Sequence, residues 1–362
     1  MTTRTASTSA APHTPWVRSV GLGVVLSAVV CLVVLAFSWP SVTLAPKDLP
    51  IAITGPDAVV QTVEHALDEQ ADGAFALTEV DDRAAAVEAI RTRAAYGAIV
   101  LGAEPEVLTS SAASTATNQL MGQLHAQLQA MVQQQAAAQA QAAGAPAPTV
   151  TVALTDVVPL SPDDPRGAGL TAAALPLVFG GMIGGIAITF AISGAWRRIV
   201  ALLVYSAVGG LAITGIMQGW FGVLEGDYLH NAGGFALTLL AMGATIVGFA
   251  ALFGRAGVAV GPVLFMLVGN PISGAAFPKE FYPAPWGEIG QLFPPGAGAT
   301  LVRDLSYFPD ADASGPILVL ACWAVGGILL TAIGHFRDQG RLVVEENPAD
   351  AAADAPREPV AV

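Results

Sequence analysis

The chain has 362 residues, 54% hydrophobic and only 12% charged, with a mean hydropathy of +0.60. That is more apolar surface than a water-soluble fold of this length buries, so the sequence describes an integral membrane protein. The formal net charge of −13 argues against nucleic acid and against anionic lipid surfaces as partners.

A hydrocarbon core of about 30 Å calls for about twenty apolar residues in a helix, because backbone groups in lipid must pair within their own segment. Six runs meet that requirement: 17–39, 169–193, 199–219, 233–253, 256–275 and 315–336. The expected fold class is a polytopic α-helical membrane protein with six transmembrane helices and a small extracytoplasmic α/β domain inserted between helices 1 and 2. The first run, "VGLGVVLSAVVCLVVLAF", exceeds the h-region of a signal peptide, and "SWPSVTLAP" offers no clean small-x-small cleavage site. An uncleaved anchor is favoured over a removable leader. Arg4, Arg18, Arg197, Arg198, Arg255, Arg337 and Arg341 fall on one side of a six-span arrangement, and only Lys279 and Arg303 sit in the opposing short connections. The positive-inside rule then places both termini, 1–16 and 337–362, in the cytoplasm and 40–168 outside. Ala-rich, Arg-over-Lys usage points to a GC-rich bacterial genome, and so to a bacterial plasma membrane.

Within 40–168, "LPIAITG", "FALTEV" and "YGAIVLG" have strand character, while "AVVQTVEHALDEQ" and "DRAAAVEAIRTRAAY" between them have helical periodicity. Alternating strands and helices predict a small parallel α/β unit. In the Gln/Ala-rich stretch 115–143, Leu120, Leu124, Leu128 and Met131 or Val132 share one face of an amphipathic helix; a low-complexity stalk is the other reading. "TVTVALTDVV" is a further strand that rejoins the sheet. The acidic tail 337–362 has the composition of a disordered segment.

Chemistry is sparse. A phosphate-binding P-loop needs a Gly-rich loop ending in Lys, and the two lysines, Lys47 and Lys279, have no such context. The five histidines, His13, His65, His125, His230 and His335, show no ligand spacing, and Cys31 and Cys322 lie within apolar runs. No G-x-S-x-G elbow occurs. Paired carboxylates such as Asp81–Asp82 and Asp163–Asp164 fit caps and turns. No catalytic residue, metal site or bound cofactor is expected. The spans lack interior charge, which disfavours a proton relay, although Glu225, Asp227, Glu280 and Glu288 stand at an edge.

The spans are instead rich in glycine. Gly180–Gly184, Gly181–Gly185, Gly215–Gly219 and Gly257–Gly261 have G-x-x-x-G spacing, suited to close helix packing within the chain or between subunits. Pro176 and Pro262 predict kinks.

The passage "GNPISGAAFPKEFYPAPWGEIGQLFPPGAGATLVRD" is dense in proline, glycine and aromatic residues. Irregular backbone at membrane depth must be buried in protein or line a cavity. The stretch 276–308 therefore reads as a hairpin of short helices, broken around Pro294, Pro295 and Gly296, that either re-enters the outer leaflet or caps it.

With its first span, large outer domain and "GNPISGAAFP", "PWGEIGQLFPPGAGATLVRD" and "SYF" before the last span, the chain resembles the membrane subunits of type-2 ABC exporters. Within these it is most similar to the branch of phage-infection-protein-like permeases. The resemblance covers about 40–336. It implies a six-helix permease that forms a homodimer or a heterodimer with a related permease, and takes ATP hydrolysis from a separate cytoplasmic ABC ATPase subunit. Carried over, the hairpin and gate residues are Asn270, Pro271, Gly274, Pro278, Trp286, Gly290, Pro294, Pro295, Gly296 and Gly298. Trp196, Arg197, Arg198 and Arg255 are the candidates for ATPase coupling, or else only topology determinants. The connections "SGAWRR" and "GRAG" are short for that coupling. A non-transporting envelope scaffold or receptor acting through the outer domain is the alternative.

Overall fold

A computed structural model of the chain describes residues 15–71, 73–144, 146 and 148–353. Residues 1–14 of the expected cytoplasmic N-terminus and 354–362 of the acidic tail lie outside the described residues. Helix α1 (Trp16–Thr43) leads into an α/β domain built from β1 (Leu49–Thr54), α2 (Asp57–Gln70), β2 (Phe75–Glu79), α3 (Arg83–Arg91), β3 (Gly97–Val100), β4 (Glu106–Thr109), α4 (Thr115–Ala142) and β5 (Ala153–Asp156). The strands form one sheet in the order β2-β1-β3-β4-β5.

The sheet is mixed where a parallel one was expected. Strand β4, which periodicity did not reveal, runs antiparallel to β3, with Gly97 opposite Thr109. It is only four residues long, too short to show alternation, and the few residues joining it to β3 rule out a parallel crossover. Alternate residues sort to the two faces. Ile51, Ile53, Ile99 and Val107 pack with Val63 and Leu67 of α2 and with Met121 and Leu124 of α4. Ala52, Ala98 and Leu108 meet Ala86 and Ile90 of α3 on the other face.

Helix α4 does more than cover the sheet. His125, Gln129 and Gln133, four residues apart and so on one face, bond the extended segment 148–152. Gln129 Nε2 donates to Val150 O at 2.6 Å and its Oε1 accepts from Val152 N at 2.7 Å. Gln133 Nε2 donates to Pro148 O at 3.1 Å and its Oε1 accepts from Val150 N at 3.0 Å. His125 Nε2 donates to Val152 O at 2.9 Å. Side-chain amides thus stand in for a neighbouring strand and satisfy backbone groups that burial would leave unpaired.

Among the described residues, five helices are long and apolar enough to cross a membrane: α1, α5 (Ala168–Ala191), α6 (Ala195–Thr214) with its π-helical continuation Gly215–Trp220, α7 (Tyr228–Phe253), and α11 (Ser314–Ala353) over Ser314–Arg337. The chain is a multi-pass helical membrane protein. The expected fifth span, 256–275, is shorter than required. Helix α8 (Arg255–Pro262) passes into a π-helical stretch, Val263–Gly269, and Arg255–Gly269 covers only about 22 Å at 1.5 Å per residue. Pro262 lacks the N–H for a regular ladder and Pro271 cannot extend it. Helix α11 continues beyond 337, so the tail expected to be disordered is helical in its backbone as far as Ala353.

Helix α7 is the axis of the bundle, with buried residues from Asn231 to Ala250. Gly181 and Gly185 of α5 press on Met242 and Gly243 of α7, Gly184 seats the Tyr205 ring of α6, and Tyr205 Oη donates to Gly180 O at 2.7 Å. Gly257 and Gly261 of α8 lie against Phe249 and Ile246 of α7. Gly215 touches Tyr228, but nothing lies within 4 Å of a Cβ placed at Gly219, so that fourth motif makes no close helix contact within the chain. The tightest α7–α11 approach uses Gly248 and Gly327. With one glycine on each helix, it leaves no G-x-x-x-G trace. Helix α1 is largely exposed, buried only at Pro40 near its C-terminal end.

Candidate functional site

Beyond Gly269 the chain turns, forms a 3-10 segment at Lys279–Phe281, then α9 (Trp286–Gln291) and α10 (Pro294–Tyr307). The break falls at Leu292–Phe293, where Phe293 is extended and Pro294 starts α10, a position where its missing N–H is an orphan in any case. Trp323 fixes the depth of this tip. Its Nε1 donates to Leu292 O at 2.8 Å, and its ring lies 6.0 Å from that of Phe293 and 5.6 Å from that of Phe265. Trp323 is nine residues into α11, so the tip sits about 13–14 Å down that helix. The hairpin occupies bundle volume that the short α8 segment leaves open.

Close backbone contacts explain the glycines. Gly290 has the Ile272 carbonyl where a Cβ would stand, Gly296 has the Gly290 carbonyl, Gly287 has the Lys279 carbonyl, and Gly298 abuts Thr238 of α7. Gly274 turns the chain at φ +71°, a conformation open mainly to glycine. Gln291 crosses the gap: its Nε2 donates to Ser273 O at 2.8 Å, and its Oε1 accepts from Thr300 Oγ1 at 2.7 Å. Pro278, Pro294 and Pro295 are buried, and Pro271 and Asn270 half-buried. Trp286 meets Trp39 of α1 edge to face at 5.7 Å. The hairpin candidates are therefore gathered in one packed unit.

The α/β domain is braced on this unit. Ala45 N donates to Phe281 O at 3.1 Å and Lys47 N to Glu280 O at 3.0 Å, pairing the segment after α1 with the 3-10 turn. Tyr96 Oη donates to Glu280 Oε2 at 3.0 Å. Arg93 forms an ion pair with Asp304 and lies 5.4 Å over the Phe308 ring. Arg93 is also left-handed, at φ +60°, a conformation a non-glycine residue holds only when its surroundings impose it. Burial disfavours its charge, but Asp304, Tyr96 and Glu280 outweigh that and hold its pKa above the ordinary value. Burial, reinforced by Glu280, pushes the Tyr96 hydroxyl up, and burial raises Asp304 against the opposing pull of Arg93.

Between the turn after α3, the hairpin and the start of α11 lies a cleft of about 590 Å³, whose lining includes Arg93, Tyr96, Lys279, Glu288, Arg303 and Asp304. Across Arg303 is a smaller cavity of about 30 Å³ among α5, α7 and α10, lined by Leu177, Val178, Met242, Asn270 and Ser273 among others. It has room for about two waters. Sequence reasoning missed Arg93, Tyr96, Asp304 and Phe308. Arg93 and Asp304 are 211 positions apart, and no local pattern links them.

The coupling candidates lie at the far ends of α5 and α7. Arg198 is committed within the chain: its Nε donates to Ile192 O at 2.7 Å and its Nη2 to Thr189 O at 2.9 Å, capping α5. Trp196, Arg197 and Arg255 are exposed. Asp227 caps α7 through Leu229 N and His230 N, both at 2.9 Å. Among the described residues, no three of His, Cys, Asp and Glu gather as a metal site would need. Comparison with protein-family models, characterised proteins and solved structures finds no match to this chain.

Proposed function

We propose that the chain is the permease subunit of an ATP-binding-cassette exporter in a bacterial plasma membrane, moving an amphipathic or envelope-related substrate outward. In this reading both termini are cytoplasmic, the α/β domain lies outside, two permease chains pair, and a separate ATPase subunit binds ATP. The supporting observation is the broken hairpin. It is wedged against α7 and α11 at the domain end of the bundle, while Trp196, Arg197 and Arg255 are exposed at the other end. Alternating states need a two-position element at the exit and a contact for the motor at the opposite face; in this reading the hairpin is the first and the exposed residues are the second.

The test is purification from the native membrane in mild detergent, followed by mass spectrometry. A stoichiometric ABC ATPase is the expected companion, and its absence under several gentle conditions would sink the reading. A non-transporting receptor would then be the better account. An apolar groove of about 370 Å³ between α2 and α4, lined by Val63, Leu67, Leu124, Leu128 and Met131, favours it.

A further inference from the structure

Two ion pairs and several hydrogen bonds engage most of the charged groups of the 590 Å³ cleft. Lys279 Nζ meets Glu288 Oε1 at 2.8 Å, Arg93 meets Asp304, Glu280 accepts from Tyr96, and Asp312 Oδ1 accepts from Ser314 N at 2.9 Å. Of the three cations that line it, Arg303 is the one without an ion pair. Among the described residues it has no carboxylate within ion-pair distance. Its one hydrogen bond runs from Nη2 to Ala275 O at 3.0 Å, and its Nε is shut off from solvent without an acceptor. Burial and the neighbouring Arg93 charge bring its pKa down to about 10 against the opposing pull of Tyr96, Asp304 and Tyr307.

A guanidinium carries five donors in a planar fork, and leaving them unmade in a buried setting costs free energy. Here Nε is the donor shut off from solvent, while the side chain lines the cleft, where a ligand can meet the donors that are not. The 30 Å³ side admits nothing larger than water, so the ligand enters from the cleft. We infer that Arg303 seats an anionic oxygen group, a carboxylate or a phosphate, of a ligand held in the cleft between hairpin and α/β domain. Two oxygens matched to the fork give the strongest such contact. Of the opposing carboxylates, Asp304 is neutralised by Arg93 and Glu288 by Lys279, and Asp312 lies at the solvent edge where salt screens it, which leaves Glu280, bonded to the Tyr96 hydroxyl, as the one opposing charge. The net charge of −13 does not prevent binding, because it acts on charged surfaces at long range and not on one group at contact. Leu292, Pro316 and Val319 line the same cleft and would meet an apolar chain attached to the group. The shared chemistry thus admits either a free anion or the headgroup of a lipid.

The inference does not rest on the exporter reading and is tested by binding alone. Full-length protein in detergent is titrated with inorganic phosphate by calorimetry. In parallel, protein in nanodiscs of phosphatidylglycerol or of phosphatidylcholine is examined by native mass spectrometry for retained lipid. Phosphate binding that becomes roughly tenfold weaker or worse in Arg303→Gln marks a soluble anion. Phosphatidylglycerol retained by the wild type and lost by the variant marks a headgroup. Unchanged binding in the variant, or no binding of either probe by the wild type, overturns the inference. Ala94→Glu changes an exposed position on the cleft wall and keeps the test decisive if Arg303→Gln does not fold. It should weaken binding severalfold without altering the melting temperature, and unchanged binding there would also count against the site.

Discussion

Arg93 of the α/β domain and Asp304 of the hairpin form an ion pair across 211 positions of sequence, with side chains 17% and 5% exposed. A pair so shielded stabilises little relative to an apolar replacement, but removing one partner strands a buried charge. Arg93→Met is therefore expected to cost about 3 kcal/mol or more, and Arg93→Met with Asp304→Leu distinctly less. Thermal unfolding of the single and double variants in one detergent checks this; equal losses would show that the pair does not couple the two units.

The amide ladder on α4 makes a second prediction. Gln129→Leu keeps the shape of the side chain but removes both bonds to the 150–152 backbone. Unpaired buried backbone groups cost about 1–3 kcal/mol. Hydrogen exchange should show the Val152 amide losing protection while Ile53, in the centre of the sheet, keeps its own. Full protection at Val152 would mean that β5 and not the ladder holds the segment.

Much of the architecture was legible because it rests on local pattern. The long apolar runs became α1, α5, α6, α7 and α11, and alternation at 49–54, 75–79 and 97–100 became strands β1 to β3. What escaped was either too short or too distant. Strand β4 has four residues, and its place in the sheet depends on β5, nearly fifty positions later. The shortfall of α8 comes from Pro262 and Pro271 within a run whose hydropathy alone reads as a span. The passage 269–304 was conspicuous by composition, but its link to Arg93 and Tyr96 is purely tertiary. Hairpin glycines are visible in sequence; which carbonyl each one faces is not.

Acid sensitivity should centre on Glu106. Its carboxylate accepts from Arg83 Nε and Thr155 Oγ1, both at 2.5 Å, and the Arg83 bond holds its pKa below the usual 4.5 despite partial burial. A carboxyl depressed in the folded state contributes stability above its unfolded pKa and loses it as pH falls through the folded value. Glu106→Gln should therefore narrow the stability difference between neutral pH and about pH 3. Because Arg83 is 53% exposed, the loss at neutral pH should be no more than about 1 kcal/mol. An unchanged acid transition in the variant would assign that sensitivity to other carboxylates.

The hairpin itself separates packing from motion. Gly290→Ala places a methyl group on the Ile272 carbonyl, and Gly298→Ala places one on Thr238. Overpacking of this kind costs about 1–3 kcal/mol, so both should melt earlier, whereas Gly219→Ala, with nothing within 4 Å, should not. Pro294 and Pro295 differ because they open α10, where alanine is sterically acceptable and nothing is overfilled; what is lost is the rigid φ and the packing of two buried rings. The Pro294→Ala, Pro295→Ala double variant is therefore expected to insert and fold, melting modestly below the wild type. If the tip is a gate, it should nevertheless impair outward transport, since the break at Leu292–Phe293 would no longer be fixed. Transport in vesicles, read beside the melting curve, decides between the roles: normal transport by the folded variant leaves the hairpin as a structural plug, and impaired transport by the folded variant makes it the moving part.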